Sequence, residues 1–256
     1  MNQEPVKVAN SSGFPLQIGV IQAINQSRAW RVFVEEHPWR DHERGTEGFI
    51  DIVAINTYLR VGAMIIECKR VRQAAWVFLI PKEHPPDRSS ASVWDSHRVD
   101  GKWIRCGWRN CQADPVSCQS LYCAIPGQEQ GRRNLIERTV ADLTTSVEAF
   151  AHQEINLIEQ NQTANFVRIY VPVIITTAHL FVASFDPSKI TLNDGELPKD
   201  ASFLEVPYVR FRKAFSVLPE KPSINSIKEL GEMSERTAFV VNSQRVTEFL
   251  NQFEFY

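Results

Sequence analysis

The sequence predicts a mixed α/β fold in which a single sheet carries helices packed against it. Short apolar segments rich in β-branched residues occur in both halves of the chain, which is typical of strands. A long segment with helical periodicity separates the two sets of strands. With 256 residues, of which 43% are hydrophobic and 23% charged, the chain is large enough to bury the core of one globular domain.

The first third of the chain predicts one helix followed by three strands. Leu16, Val20 and Ile24 recur at helical spacing, so a first helix is expected over residues 14–27. Alternating or continuous apolar patterns predict strands at residues 30–39, 49–57 and 63–71. The last two of these strands are separated by a connection of hairpin length. Residues 74–81 predict either a further strand or the start of a helix.

Residues 84–130 interrupt this order. The segment begins rich in proline and serine and continues into a cluster of cysteines, so we expect an insertion and not a core element. From Arg132 to about Asn161, apolar residues step alternately by four and three positions, which predicts a long amphipathic helix. Further strands and a closing helix are expected within residues 165–186, 203–215, 236–242 and 243–253.

The charge distribution favours a local anion-binding surface in a protein whose net charge is only −2. Residues 60–140 contain 13 lysines and arginines and 8 aspartates and glutamates, whereas the rest of the chain contains 15 and 22. A basic central segment is compatible with phosphate binding. No apolar run reaches the roughly 18 residues of a membrane span, and the N-terminal segment has no apolar signal core. We therefore expect a cytoplasmic protein with no membrane partner.

Two carboxylates and one lysine mark a candidate site in the predicted strands. Glu67 and Lys69 are two residues apart, so their side chains point to the same face of the strand. If Asp51 lies across from them, two carboxylates and an ammonium group converge at one end of the sheet. Carboxylate oxygens suit Mg²⁺ or Mn²⁺, and a lysine beside them can orient a water or offset charge on a phosphate. Metal-assisted hydrolysis of a phosphodiester requires this combination.

Asp51, fifteen intervening residues and then Glu67-Cys68-Lys69 resemble the motif of the PD-(D/E)XK superfamily of restriction-endonuclease-like nucleases. The predicted order of helix, three strands, helix and strand is similar as well. The resemblance implies a restriction-endonuclease-like mixed central sheet flanked by helices, here with extra C-terminal strands. It also implies that Asp51 and Glu67 hold the metal, Mg²⁺ or Mn²⁺, and that Lys69 is the catalytic lysine.

The resemblance extends to two further positions. Gln73 matches a glutamine that some branches of the superfamily carry shortly after the lysine. Many members also have an upstream acid. The predicted first helix here has no Asp or Glu and carries only glutamines such as Gln22 in their place, so Glu36 is the candidate replacement. The residue before Asp51 is Ile50 and not proline. The implied function is Mg²⁺-dependent hydrolysis of DNA in restriction, defence or repair, with a homo-oligomer or a defence-system partner as the expected assembly.

Four cysteines of residues 84–130 form two pairs, each with four intervening residues, at Cys106, Cys111, Cys118 and Cys123. Four thiolates can bind a tetrahedral zinc ion, although pairs with two intervening residues are more typical. Two interpretations stay open, a structural zinc site or four small side chains packed in the protein. The first gives an alternative function, a zinc-containing nucleic-acid-binding or adaptor protein built on a catalytically inactive nuclease-like core.

Arginines that alternate with tryptophans in the same region are candidates for contacts with DNA. Aromatic rings can stack on bases while guanidinium groups bind phosphates. The candidate DNA-binding residues are Arg105, Arg109, Arg132 and Arg133. The rival interpretation is that these arginines pair with acids of the protein itself.

Overall fold

The chain forms a mixed α/β structure built around one large sheet. The structure, a computed structural model, describes residues 4–41, 45–58, 61–72, 74–82, 87–127, 134–215 and 226–256. The helices in these residues are α1 (Glu4–Ser11), α2 (Phe14–Gln26), α3 (Leu135–Gln160), α4 (Ile227–Ser234) and α5 (Val246–Gln252). The strands are β1 (Trp30–Asp41), β2 (Thr46–Asn56), β3 (Gly62–Lys69), β4 (Ala75–Pro81), β5 (Asp87–Val99), β6 (Lys102–Ser120), β7 (Tyr122–Ala124), β8 (Phe166–Thr176), β9 (His179–Phe185), β10 (Ser202–Glu205), β11 (Tyr208–Ala214), β12 (Glu235–Asn242) and β13 (Glu254–Phe255).

The large sheet has the strand order β1-β2-β3-β8-β12-β11-β6-β13 within the described residues, and β5 pairs with both β6 and β8. Strands β1, β2 and β3 are antiparallel neighbours, whereas β8 runs parallel to β3. A second sheet has the order β10-β9-β4-β7. Strand β8 is central and its residues from Arg168 to Thr176 are all buried, which is why its sequence is almost continuously apolar.

Two hydrophobic cores lie on opposite faces of β3. Ala63 and Ile65 belong to the core beneath α3, which also contains the buried residues of β4. Met64 and Ile66 belong to the core beneath α2 and α5. Because successive strand residues alternate between faces, this division defines the two sides of the sheet. The result is a layered arrangement, with α3 on one face and α2 and α5 on the other.

Most of the predicted elements are confirmed, including the first helix, the three strands after it, the long helix and the strands that follow it. Residues 74–81, for which two predictions were open, form strand β4. Helix α1, which begins at Glu4, was not predicted from the sequence. No helix in the described part of the chain is both long enough and apolar enough to cross a membrane.

The prediction of a non-core insertion at residues 84–130 is wrong in one respect. The described part of this segment lies between β4 and α3 in the chain, but its strands β5 and β6 form a long antiparallel hairpin within the large sheet. Strand β5 also pairs with the first half of β8, from Phe166 to Tyr170. Ala91, Val93 and Trp94 are buried in the cores as a result. Polar serines at alternate positions of β5 concealed this strand in the sequence.

Candidate metal centre

Asp51 and Glu67 meet at the point where β2 and β3 separate. Their ladder runs from Ile55 paired with Ala63 to Ile52 paired with Ile66, so the next residues on the two strands are Asp51 and Glu67. There the Asp51 side chain takes the place of a strand carbonyl, because its Oδ2 accepts a hydrogen bond of 2.7 Å from the backbone N–H of Cys68. The end of the ladder therefore brings the two predicted acids together.

Lys69 lies beside Glu67, as the alternation of strand residues predicts. Its Nζ forms an ion pair with Glu67 Oε1. Both side chains are only partly exposed, 32% for Lys69 and 21% for Glu67. Cys68, between them in sequence, is buried on the opposite face in the core beneath α2. The lysine is thus held within reach of the carboxylates and of solvent.

Glu36 completes the acidic cluster from strand β1. Its backbone has φ 49°, a left-handed conformation that a residue other than glycine rarely adopts and that costs of order 1–3 kcal/mol. Its Oε1 accepts a hydrogen bond from Gln17 Nε2, and the same Nε2 group donates to the backbone oxygen of Asp51 over 3.1 Å. Glu36 is exposed, so the cluster opens to solvent on this side.

Gln17 is a residue of the site that sequence reasoning missed. It is 7% exposed and lies on the buried face of α2 together with Val20 and Ile24. A glutamine in the apolar stripe of a helix needs a polar partner, because an unsatisfied buried amide costs of order 1–3 kcal/mol. That position was the signal available in the sequence. Gln22, a glutamine of the same helix, is exposed.

The crowding of carboxylates changes the acidity of Asp51. The pKa of Asp51 is raised to about 7, mainly by burial and then by the nearby Glu67 and Glu36 carboxylates, against the lowering effects of the Cys68 N–H and Lys69. Near neutral pH the site therefore holds more negative charge than one lysine offsets, and a proton binds to Asp51 in compensation. A divalent cation can replace that proton.

The donor set fits a hard divalent cation. Asp51, Glu67 and Glu36 provide carboxylate oxygens, the ligands that Mg²⁺ and Mn²⁺ prefer. In the described residues, however, no three His, Cys, Asp or Glu side chains are already arranged as a ligand group. Glu67 Oε1 faces Lys69 and Asp51 Oδ2 faces the Cys68 N–H. Two carboxylates with waters or phosphate oxygens completing the shell match the usual mode of Mg²⁺ binding.

The structure does not bring the four cysteines of the possible zinc site together. Cys111 packs in the core beneath α2 and α5, whereas Cys123 packs in the core beneath α3, on the other face of the large sheet. Cys106 is exposed near the start of β6. Burial raises the pKa of the Cys111 and Cys123 thiols, which disfavours the thiolate form that zinc requires. The geometry favours the alternative interpretation, in which these residues pack as small side chains.

Arg105 and Arg109 both bind a buried acid of the protein itself. Asp95 Oδ2 lies 3.0 Å from Arg105 Nη1 and 2.6 Å from Arg109 Nε. Asp95 is paired with Ile169 at the start of β8, while the candidate site is level with Ile174. Five strand residues correspond to about 17 Å, so these arginines are remote from the acidic cluster. The geometry of Arg105 and Arg109 therefore favours the rival interpretation, in which these arginines pair with acids of the protein itself.

The remaining predicted residues fall outside the described part of the chain. These are Gln73, Arg132 and Arg133. A further basic sequence, RFRK at residues 210–213, is held in contacts within the protein. Arg210 is fully buried, Arg212 pairs with Glu235 and Lys213 pairs with Glu137.

The chain matches no model of a known protein family, and no curated protein or solved structure is significantly similar to it.

Proposed function

We propose that this protein is a divalent-metal-dependent nuclease of the PD-(D/E)XK type that hydrolyses phosphodiester bonds in DNA. One observation carries the proposal. Glu36 from β1 and Asp51 from β2 converge with Glu67 and Lys69 at the end of β3, and burial among carboxylates raises the pKa of Asp51 to about 7. Such a cluster is costly to fold unless a cation binds to it.

The topology around the cluster supports the same assignment. Helix α2, strands β1, β2 and β3, helix α3 and strand β8 follow one another in the order that the motif resemblance implies, with β4–β7 between β3 and α3. The acids lie on the antiparallel β1-β2-β3 unit, and β8 runs parallel to β3 beside it. Neighbouring strands of a well-packed sheet provide the rigid support that a catalytic arrangement needs.

Each residue of the cluster has a different role in the proposed hydrolysis. Asp51 and Glu67 would hold Mg²⁺ or Mn²⁺, which when bound supplies positive charge against the phosphate and acidifies a water. Lys69 donates hydrogen bonds to the attacking water or to a non-bridging phosphate oxygen, and so offsets the charge that develops there. Gln17 orients Glu36 and fixes the Asp51 backbone, which keeps the carboxylates close together.

Cleavage of plasmid DNA tests the proposal. We expect the wild-type protein to cut DNA with Mg²⁺ or Mn²⁺, not with a chelator, and only weakly with Ca²⁺. Glu67→Ala should abolish cleavage without loss of folding by circular dichroism. Glu47→Ala is the matched control, because Glu47 is an exposed acid of the same strand as Asp51 and pairs only at the surface with Arg40. Equal cleavage by wild type and Glu67→Ala would overturn the proposal.

A further inference from the structure

A basic cleft begins directly beyond the acidic cluster. It has a volume of about 580 Å³ and is lined by Arg70, Val71, Arg72 and Thr177. Lys69 is paired with Thr176 at the last step of the β3–β8 ladder, so Arg70 and Thr177 are the next residues on the two strands. The cleft is therefore continuous with the end of β3 that carries Glu67 and Lys69.

Thr177 fixes the shape of this cleft. Its hydroxyl donates to the backbone oxygen of Val71 over 2.7 Å and accepts from the Val71 N–H over 2.9 Å. The Thr177 N–H also donates to the Lys69 oxygen over 3.4 Å. The segment that carries the two arginines is thereby attached to the central strand, although the ladder has ended. Arg70 and Arg72 are presented from a pinned backbone, which lowers the entropic cost of binding a ligand.

Arg70 and Arg72 differ from four arginines of the large sheet that are paired with acids. Neither forms an ion pair with an acid of the described residues, whereas Arg105, Arg109, Arg168 and Arg212 each do. Arg70 is half-buried and Arg72 is exposed. Two guanidinium groups without carboxylate partners at one cleft are suited to bind phosphate oxygens, which match their planar donors.

We propose that Arg70 and Arg72 bind a backbone phosphate of the polynucleotide substrate, next to the phosphate that is cleaved at the acidic cluster. This inference rests on the proposed function and names the part of the protein that holds the substrate. The acidic cluster alone repels a polyanion, and the cations that compensate for this repulsion lie one and three residues after Lys69. An extended segment of three residues spans at most about 10 Å, so the binding and cleavage positions are neighbours.

Fluorescence anisotropy with a labelled DNA duplex in Ca²⁺ tests the inference in the background of Lys69→Ala, which removes turnover. We expect Arg70→Ala/Arg72→Ala to weaken binding about tenfold or more and to reduce the salt slope by about 0.9, because the contact with one phosphate is lost. Arg28→Ala/Arg31→Ala is the control, since both arginines are exposed at the start of β1 and away from the cluster. Arg70→Lys/Arg72→Lys should restore the slope, because charge is kept.

The outcomes distinguish failure of this inference from failure of the proposed function. An unchanged slope in the double alanine variant overturns the inference, and the proposed function still stands if wild-type protein cuts DNA with Mg²⁺. Absence of DNA binding and of cleavage by wild-type protein overturns both. Inorganic phosphate, titrated onto the protein without Ca²⁺, is the second probe. Phosphate binding at low millimolar concentration that Arg70→Ala/Arg72→Ala abolishes, together with an unchanged DNA affinity in that variant, would assign the cleft to free phosphate and overturn the polynucleotide assignment.

Discussion

Two acids of the same sheet, the half-buried Asp51 and the buried Asp95, have opposite surroundings. Asp95 is 3% exposed and is bound by two guanidinium groups, so its negative charge is more than balanced. Asp51 has two further carboxylates near it and shares one lysine with them. The first arrangement is complete within the protein, whereas the second leaves negative charge for a cation to bind. Buried charge alone does not indicate a functional site; the balance of charge around it does.

The largest expected effect separates catalysis from DNA binding at the acidic cluster. Lys69→Ala should lower the rate of cleavage at least a hundredfold, because a cation beside the attacked phosphate is lost. DNA binding in Ca²⁺ should change little, since the acids that hold the metal remain. Single-turnover kinetics and anisotropy on the same preparation measure the two effects. Cleavage by Lys69→Ala at the wild-type rate would show that the lysine has no catalytic part.

A second, smaller effect is expected at Asp95. Asp95→Ala should lower the free energy of unfolding by about 1–3 kcal/mol, because two partly exposed arginines lose their shared acceptor. Cleavage measured below the melting temperature should persist, since Asp95 is remote from the cluster. Urea denaturation followed by circular dichroism gives the stability. A stable but inactive Asp95→Ala protein would contradict the structural assignment of this acid.

The third expected effect is the pH dependence of stability. Asp51 has a pKa of about 7 in the folded chain against 3.8 as the ordinary value, so the folded state binds more protons between these pH values. Stability from this group is therefore present at low pH and is lost as the pH rises toward 7, by up to about 1.4 kcal/mol per pH unit. Asp51→Asn should flatten this dependence.

Chemical denaturation from pH 5 to pH 8 measures this slope. Excess Mg²⁺ should reduce the slope in wild type, because the metal binds the deprotonated carboxylate. Asp51→Asn should show no such response to Mg²⁺. Identical slopes in the two proteins, with and without Mg²⁺, would mean that Asp51 is not the group that takes up the proton.

The smallest effect is expected for the arginines that the sequence suggested as DNA-binding residues. Arg105→Ala and Arg109→Ala should each leave the salt dependence of DNA affinity unchanged, because both guanidinium groups are bound to Asp95. Anisotropy at several salt concentrations is the measurement. A slope reduced by about one unit in either variant would show that the arginine also contacts a phosphate.

The sequence predicted the cluster because its signals are local. Glu67 and Lys69 interrupt an apolar strand, and a spacing of two residues fixes them on one face. The pairing of Arg105 and Arg109 with Asp95 depends on the register of the β5–β6 hairpin, which hydrophobic periodicity does not reveal in strands rich in serine and arginine. The contact of Gln17 with Glu36 spans an α-helix and a strand and depends on a left-handed backbone at Glu36. Such tertiary contacts leave no periodic pattern.

The parallel pairing of β3 with β8 determines when the site can come into existence during synthesis of the chain. Val71 and Thr177, which close this pairing, are 106 residues apart in sequence. At a translation rate of about 5–20 residues per second, β3 is synthesised roughly 5–20 s before its second neighbour, β8. In that interval the β2–β3 hairpin can form, but the cleft beside Lys69 cannot. A nascent chain thus carries the acids of the cluster well before the cleft that we propose for the substrate phosphate can form.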